Sequence, residues 1–180
     1  SDIKNSNSFT RVSGTLEAKG IDGSGGQIET SGADLDINGI KIDTSSVTGR
    51  YGNWLVDPTN LTIDSSAAAT YATNLKTSDV TLTADNTITL SSNLAYTGDR
   101  DSTLTFNATT TVLNANITSA NGSLSLDINT ALQVGASNTV ITTKGGDVDI
   151  NGQITATAAS KNLTINAGAG NVTFSSAVTG

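Results

Sequence analysis

The chain has 180 residues, of which 14% are charged and 36% hydrophobic, with a single Pro and no Cys, His or Met. Its formal net charge is −7, so the cationic footprint of nucleic-acid binding is missing and phosphate-rich surfaces repel it. Without Cys or His, disulfides, thiolate catalysis, zinc fingers and imidazole ligation are excluded, and no cofactor or metal is expected.

The polar start, Ser1 to Ser8, lacks the apolar core of a signal peptide, and no run of about 18 apolar residues follows it, so no membrane insertion is expected. Val12 to Ala18, Gln27 to Thr30, Ala33 to Ile37 and Ile40 to Thr44 alternate apolar and polar residues, the period of a strand with one face buried. The stretch from Tyr51 to Pro58, which holds the only Trp, interrupts this pattern.

Beyond it the chain repeats. Leu82, Leu104, Leu126 and Val148 are equally spaced, and Val172 follows Ile150 by the same step. A second ladder runs through Leu94, Ile117, Val140 and Leu163, with steps one longer, and a third through Leu90, Val112 and Val134 returns to the first step. Asn-Gly, Gly-Gly and Asp-Asn pairs lie between the strands, where corners need positive φ.

Two or three short strands per repeat predict an all-β fold, a right-handed parallel β-helix with coils of about 22 residues. Some eight coils would make a rod on the order of 40 Å long. A β-sandwich also has closely spaced strands but does not require equal steps along several ladders. A helical fold fails on composition and period. Residues 1–180 are read as one β-helical segment of a larger protein, less regular over 1–64 and regularly repeating over 65–180.

Gly25-Gly26-Gln27-Ile28-Glu29-Thr30-Ser31-Gly32, Leu35-Asp36-Ile37, Ile42-Asp43-Thr44, Gly52-Asn53-Trp54-Leu55-Val56-Asp57-Pro58 and Leu61-Thr62-Ile63 together resemble a stretch shared by filamentous haemagglutinin-like exoproteins. These are the large passengers of two-partner secretion, including high-molecular-weight adhesins and haem-acquisition proteins. The likeness covers roughly residues 12–64; the remainder matches in repeat style only. It implies a β-helical shaft secreted to the surface of a Gram-negative bacterium through an outer-membrane transporter partner. The Asn-Pro-Asn-type motifs of the family's secretion domain are absent, which implies a piece of the exoprotein body. The lack of Cys fits the family's export as an unfolded chain.

Tyr51, Trp54 and Asp57 are the candidate ligand-binding residues, an aromatic loop beside a fixed turn; the competing reading packs Trp54 over the coils and lets Pro58 shape the return to Leu61. Asp34, Asp36 and Asn38 share one strand face, as do Asp147, Asp149 and Asn151, and either row has the oxygen ligands Ca²⁺ takes, although carboxylates on outward rows also keep strands soluble and unpaired. Gly98-Asp99-Arg100-Asp101 is the best enzyme candidate, read against a solvated turn with a local ion pair. Asn60, Asn107, Asn116, Asn121, Asn162 and Asn171 each open an Asn-x-Ser/Thr acceptor pattern.

Three functions are compatible with these residues. The first is a non-catalytic, adhesive shaft for attachment to host cells. The second is a binding module for a host glycan or a haem-carrier protein, using Tyr51 to Asp57, Tyr71 or Tyr96 to Asp101. The third is a polysaccharide-cleaving β-helix, which requires acidic and basic side chains from several coils to converge in one groove.

Overall fold

In the computed structural model, which describes residues 8–179, the chain winds as a parallel β-helix of about seven turns with one helix inserted. The longest sheet has seven strands: Gln27–Gly32, Asn53–Pro58, Asp79–Thr83, Ser102–Asn107, Leu124–Ile128, Val148–Ile150 and Val172–Phe174. The second sheet has five, from Leu61–Ile63 to Ile154–Ala156, and the third has four, from Leu94–Tyr96 to Asn162–Asn166. Two further pairs, Phe9–Arg11 with Asp34–Asp36 and Thr15–Glu17 with Lys41–Asp43, lie in the first coils. The polar start lies outside the described residues, apart from Ser8. The stretch from Tyr51 to Pro58 does not break the coil: from Asn53 onward it is a strand of the long sheet, paired on both sides.

Alternation along each strand sends one set of side chains inward, where they stack coil upon coil. In the long sheet, Trp54, Val80, Leu104, Leu126 and Val148 form one buried row, and Val56, Leu82, Phe106, Ile128 and Ile150 the next. Leu104, Leu126 and Val148 therefore stack as the sequence predicts, but Leu82 stacks on Phe106 and not on Leu104, and Val172 stacks on Val148 and not on Ile150. In the third sheet Leu94, Ile117 and Ile141 are buried in one row that half-buried Ile165 continues; Val140 faces outward beside Thr164, and half-buried Leu163 faces inward but stacks on Thr139 and not on Val140. In the second sheet, Leu90, Leu113 and Val134 align, and Val112 faces outward between Thr89 and Gln133. The paired positions Ile28, Trp54, Val80, Leu104, Leu126, Val148 and Val172 are unequally spaced, most widely in the first coils, so the chain makes fewer turns than equal steps predict. The seven strands extend about 29 Å at a spacing of ~4.8 Å.

The corner between the third and the long sheet is built on a regular column of glycine. Gly98, Gly122, Gly146 and Gly170 recur there at even intervals. A Cβ on Gly122 would lie 2.8 Å from the carbonyl carbon of Arg100, and one on Gly170 2.6 Å from that of Gly146. Successive coils meet at this corner backbone to backbone, which only a residue without a side chain permits.

The helix Ser65–Asn74 is the departure from the all-β expectation. Asp64 caps it, its Oδ1 accepting from Ala67 N at 2.9 Å, and the Ala-rich run that follows favours a helix. Ala67, Ala68, Tyr71, Asn74 and Leu75 are buried, at the spacing of one helical face. The helix packs against both Lys41–Asp43 and Leu94–Tyr96. Alternate backbone groups of Lys41–Asp43 point away from their paired strand, and the Asn74 carboxamide meets them: Oδ1 accepts from Ile42 N at 2.7 Å and Nδ2 donates to Ile40 O at 3.0 Å. Asn74 thus stands in for a strand edge.

Two substitutions separate the contributions of this helix. Asn74→Ala leaves a buried donor and a buried acceptor unpaired and should cost about 2–4 kcal/mol in chemical denaturation. Tyr71, packed on Trp54 with ring centroids 5.6 Å apart, has a buried hydroxyl without a hydrogen-bond partner among the described residues. Burial pushes its phenol above the ordinary range. Tyr71→Phe should therefore leave the midpoint unchanged or raise it; a fall would contradict this account.

Candidate functional site

The variable corners bring together residues distant in sequence. Arg50 and Tyr51 precede one strand of the long sheet, Asp79 opens the next, Arg100 and Asp101 precede the third, and Ser125 lies on the fourth. Because the strands are in register, these residues line one concavity of about 350 Å³ on the flank of the coils.

Arg100 organises it. Its Nη2 donates to Asp79 Oδ1 at 2.7 Å, its Nη1 donates to Leu75 O at 3.0 Å, and its guanidinium carbon lies 4.1 Å from the centroid of the Tyr51 ring. The same Asp79 oxygen accepts from Thr103 N at 3.1 Å. Behind the guanidinium, the Tyr96 hydroxyl donates to Arg100 O at 2.8 Å, and buried Ser102 Oγ lies 2.7 Å from Leu75 O. Gly98 is required here, since a Cβ would fall 2.6 Å from the Tyr96 ring. The arrangement corrects the reading of Gly98 to Asp101 as a turn with a local ion pair: Arg100 reaches back one coil to Asp79, a carboxylate the turn's own sequence does not contain.

Of the three candidate ligand-binding residues, only Tyr51 lines the concavity. Trp54 is fully buried, its Nε1 donating to Thr30 Oγ1 at 3.1 Å, so it packs the core and cannot meet a ligand. Asp57 lies further along the same strand, outward-facing beside Ser31. Sequence reasoning gives no sign that Arg50 and Arg100 join Tyr51, because the unequal coil lengths that assemble them are hidden in the corners.

The other marked residues hold coils together. Asp36 Oδ2 accepts from Arg11 Nε at 2.8 Å, and the Asn38 backbone and Arg11 keep its carboxyl below the usual range. Asp147 Oδ1 accepts from Asn171 N at 2.7 Å. Among the described residues no three His, Cys, Asp or Glu side chains group as metal ligands. Asn107, Asn129 and Asn151 form a ladder on the long sheet, Asn129 Nδ2 donating to Asn107 Oδ1 at 3.0 Å and Asn151 Nδ2 to Asn129 Oδ1 at 2.6 Å, with Ser175 bonded beyond them. Asn116, Asn121, Asn162 and Asn171 likewise bond to neighbouring coils, while Asn60 is exposed at a bend. No helix among the described residues is long and apolar enough to cross a membrane.

Comparison of the chain with family models, with curated proteins and with solved structures gave no match.

Asp127 carries an electrostatic conflict within these rows. It stacks in register on Asp149, and partial burial, followed by the Asp149 charge, raises its carboxyl above the ordinary value. A raised folded-state value favours the protonated acid, so ionised Asp127 destabilises the fold at neutral pH, and this penalty disappears as pH falls through the folded-state value. Asp127→Asn should raise the melting temperature at pH 7, with the gain vanishing below about pH 4, where the carboxyl is protonated in both states. A gain independent of pH would exclude charge as its cause.

Proposed function

We propose that the chain is a non-catalytic structural and adhesive segment of a large secreted bacterial surface protein, a rigid β-helical shaft that serves attachment to host cells or surfaces. The observation that carries this reading is the unbroken in-register stacking from Gln27–Gly32 to Val172–Phe174, reinforced outside by the Asn107–Asn129–Asn151 ladder. Each coil satisfies the backbone of the next, so stiffness extends along the axis without a wide core. The resemblance of residues 12–64 to filamentous haemagglutinin-like exoproteins supplies the rest: display outside a Gram-negative cell and export through an outer-membrane transporter partner. Acidic and basic groups do converge in the flank concavity, as a polysaccharide-cleaving enzyme would require. The non-catalytic reading is favoured because Asp79 is committed to Arg100 and Thr103 N, and Asp101 to Ser123 Oγ.

The same concavity favours a second reading, in which this segment itself binds a host glycan. Direct haem ligation has less to use, since Tyr71 is buried and the Tyr96 hydroxyl is bonded to Arg100 O.

Binding of the purified folded chain to epithelial cells separates the two. The shaft reading expects no saturable binding. Saturable binding that Tyr51→Ala removes, with the circular dichroism spectrum unchanged, would transfer the function to the concavity.

A further inference from the structure

We propose that the flank concavity at Tyr51 is a subsite for a neutral pyranose of an oligosaccharide; this rests on the second reading above and names the class of ligand.

Three features of the concavity select that class. Its volume of about 350 Å³ is at the small end of the range for ligand pockets, roughly 300–1,000 Å³, which suits a sugar ring or two and not a folded partner. Tyr51 is partly exposed and its ring is braced by the Arg100 guanidinium, 4.1 Å from its centroid. The guanidinium is itself clamped by Asp79 and Leu75 O, so the aromatic wall is held in place before any ligand arrives. A flat ring of this kind packs against the C–H face of a pyranose while its hydroxyl stays wet.

The polar rim is mixed. Arg50, exposed and without an ion-pair partner among the described residues, offers donors, as does Ser125 through its hydroxyl; Asp101, also exposed, accepts from Ser123 Oγ through Oδ1 and offers Oδ2 as an acceptor. A sugar hydroxyl both donates and accepts, so it matches a rim that presents both functions. Charge then decides between sugars. Arg50 and Arg100 balance Asp79 and Asp101, leaving no net attraction within the concavity, and the whole chain carries −7, which disfavours an acidic glycan. Haem and polyanions are disfavoured as well, the first by size and apolarity and the second by charge.

The test is titration of the isotope-labelled chain with lactose, cellobiose and maltose, and separately with a galacturonic acid dimer, followed by amide chemical shifts. At least one neutral disaccharide should shift the amides of Tyr51, Thr103 and Ser125 with a dissociation constant of about 1 mM, and Tyr51→Ala should weaken it about tenfold or more. Tyr51→Phe, which keeps the ring and the packing on Arg100, should bind nearly as the parent does and guards against a folding defect in the alanine variant. Preference for the galacturonate dimer, or no shift localised to the concavity with any neutral disaccharide, overturns the proposal. Cell binding that depends on Tyr51 but persists without disaccharide binding would overturn this inference alone and leave the second reading standing. Absence of both would overturn the two together.

Discussion

The fold depends on one constraint: a backbone strand exposes hydrogen-bonding groups along both edges, and in this chain each coil closes the edge of the one before. Parallel in-register pairing satisfies it strand after strand from Gln27 to Phe174. An unpaired buried amide costs about as much as a lost hydrogen bond or more, so register is held even where the corner lengths differ. The helix obeys the same constraint by different means. At the position where the third sheet has no strand, the Asn74 carboxamide supplies the acceptor and donor that Ile42 N and Ile40 O would otherwise lack.

Register in turn builds the outer surface. Outward residues stack as regularly as inward ones, so a chemical type repeated at the coil interval becomes a column, whether it helps, as Asn107, Asn129 and Asn151 do, or opposes folding, as Asp127 over Asp149 does. The concavity at Tyr51 is the irregular case. There the longer coils place Tyr51 and Asp79 on successive turns, and Arg100 reaches back to both.

The β-helix is legible in the sequence because inward Leu, Ile and Val recur at nearly equal steps, and three of the steps, Leu104 to Leu126 to Val148 and Leu94 to Ile117, match the structure to the residue. Elsewhere a fixed interval lands one or two positions off, as at Val112, Val140 and Leu163, because corners of different length absorb insertions that the strands do not feel. Alternation carries the information that spacing loses: Thr139-Val140-Ile141 buries its first and third residues and so identifies Ile141 as the core member. The helix has a local signal in Asp64 before Ser65-Ser66-Ala67-Ala68-Ala69, masked by the β-branched composition around it. Trp54 looks like part of an interruption when judged by spacing, yet its period-2 alternation with Val56 points both side chains inward. Arg100 and Asp79 carry no such signal, since their meeting depends on two corner lengths at once.

The glycine corner at 98, 122, 146 and 170 has a consequence for the flank beside it. Core rows tolerate no shift of register, yet the coils that join them differ in length, so the corners take up the differences that the paired strands do not. A change of length between Thr97 and Asp101 would withdraw Arg100 from Asp79 and Tyr51, and with it the carbonyl that Tyr96 bonds and Gly122 packs on. The shape of the flank concavity is therefore set by the length of one corner loop, while the core rows are set by strand register alone.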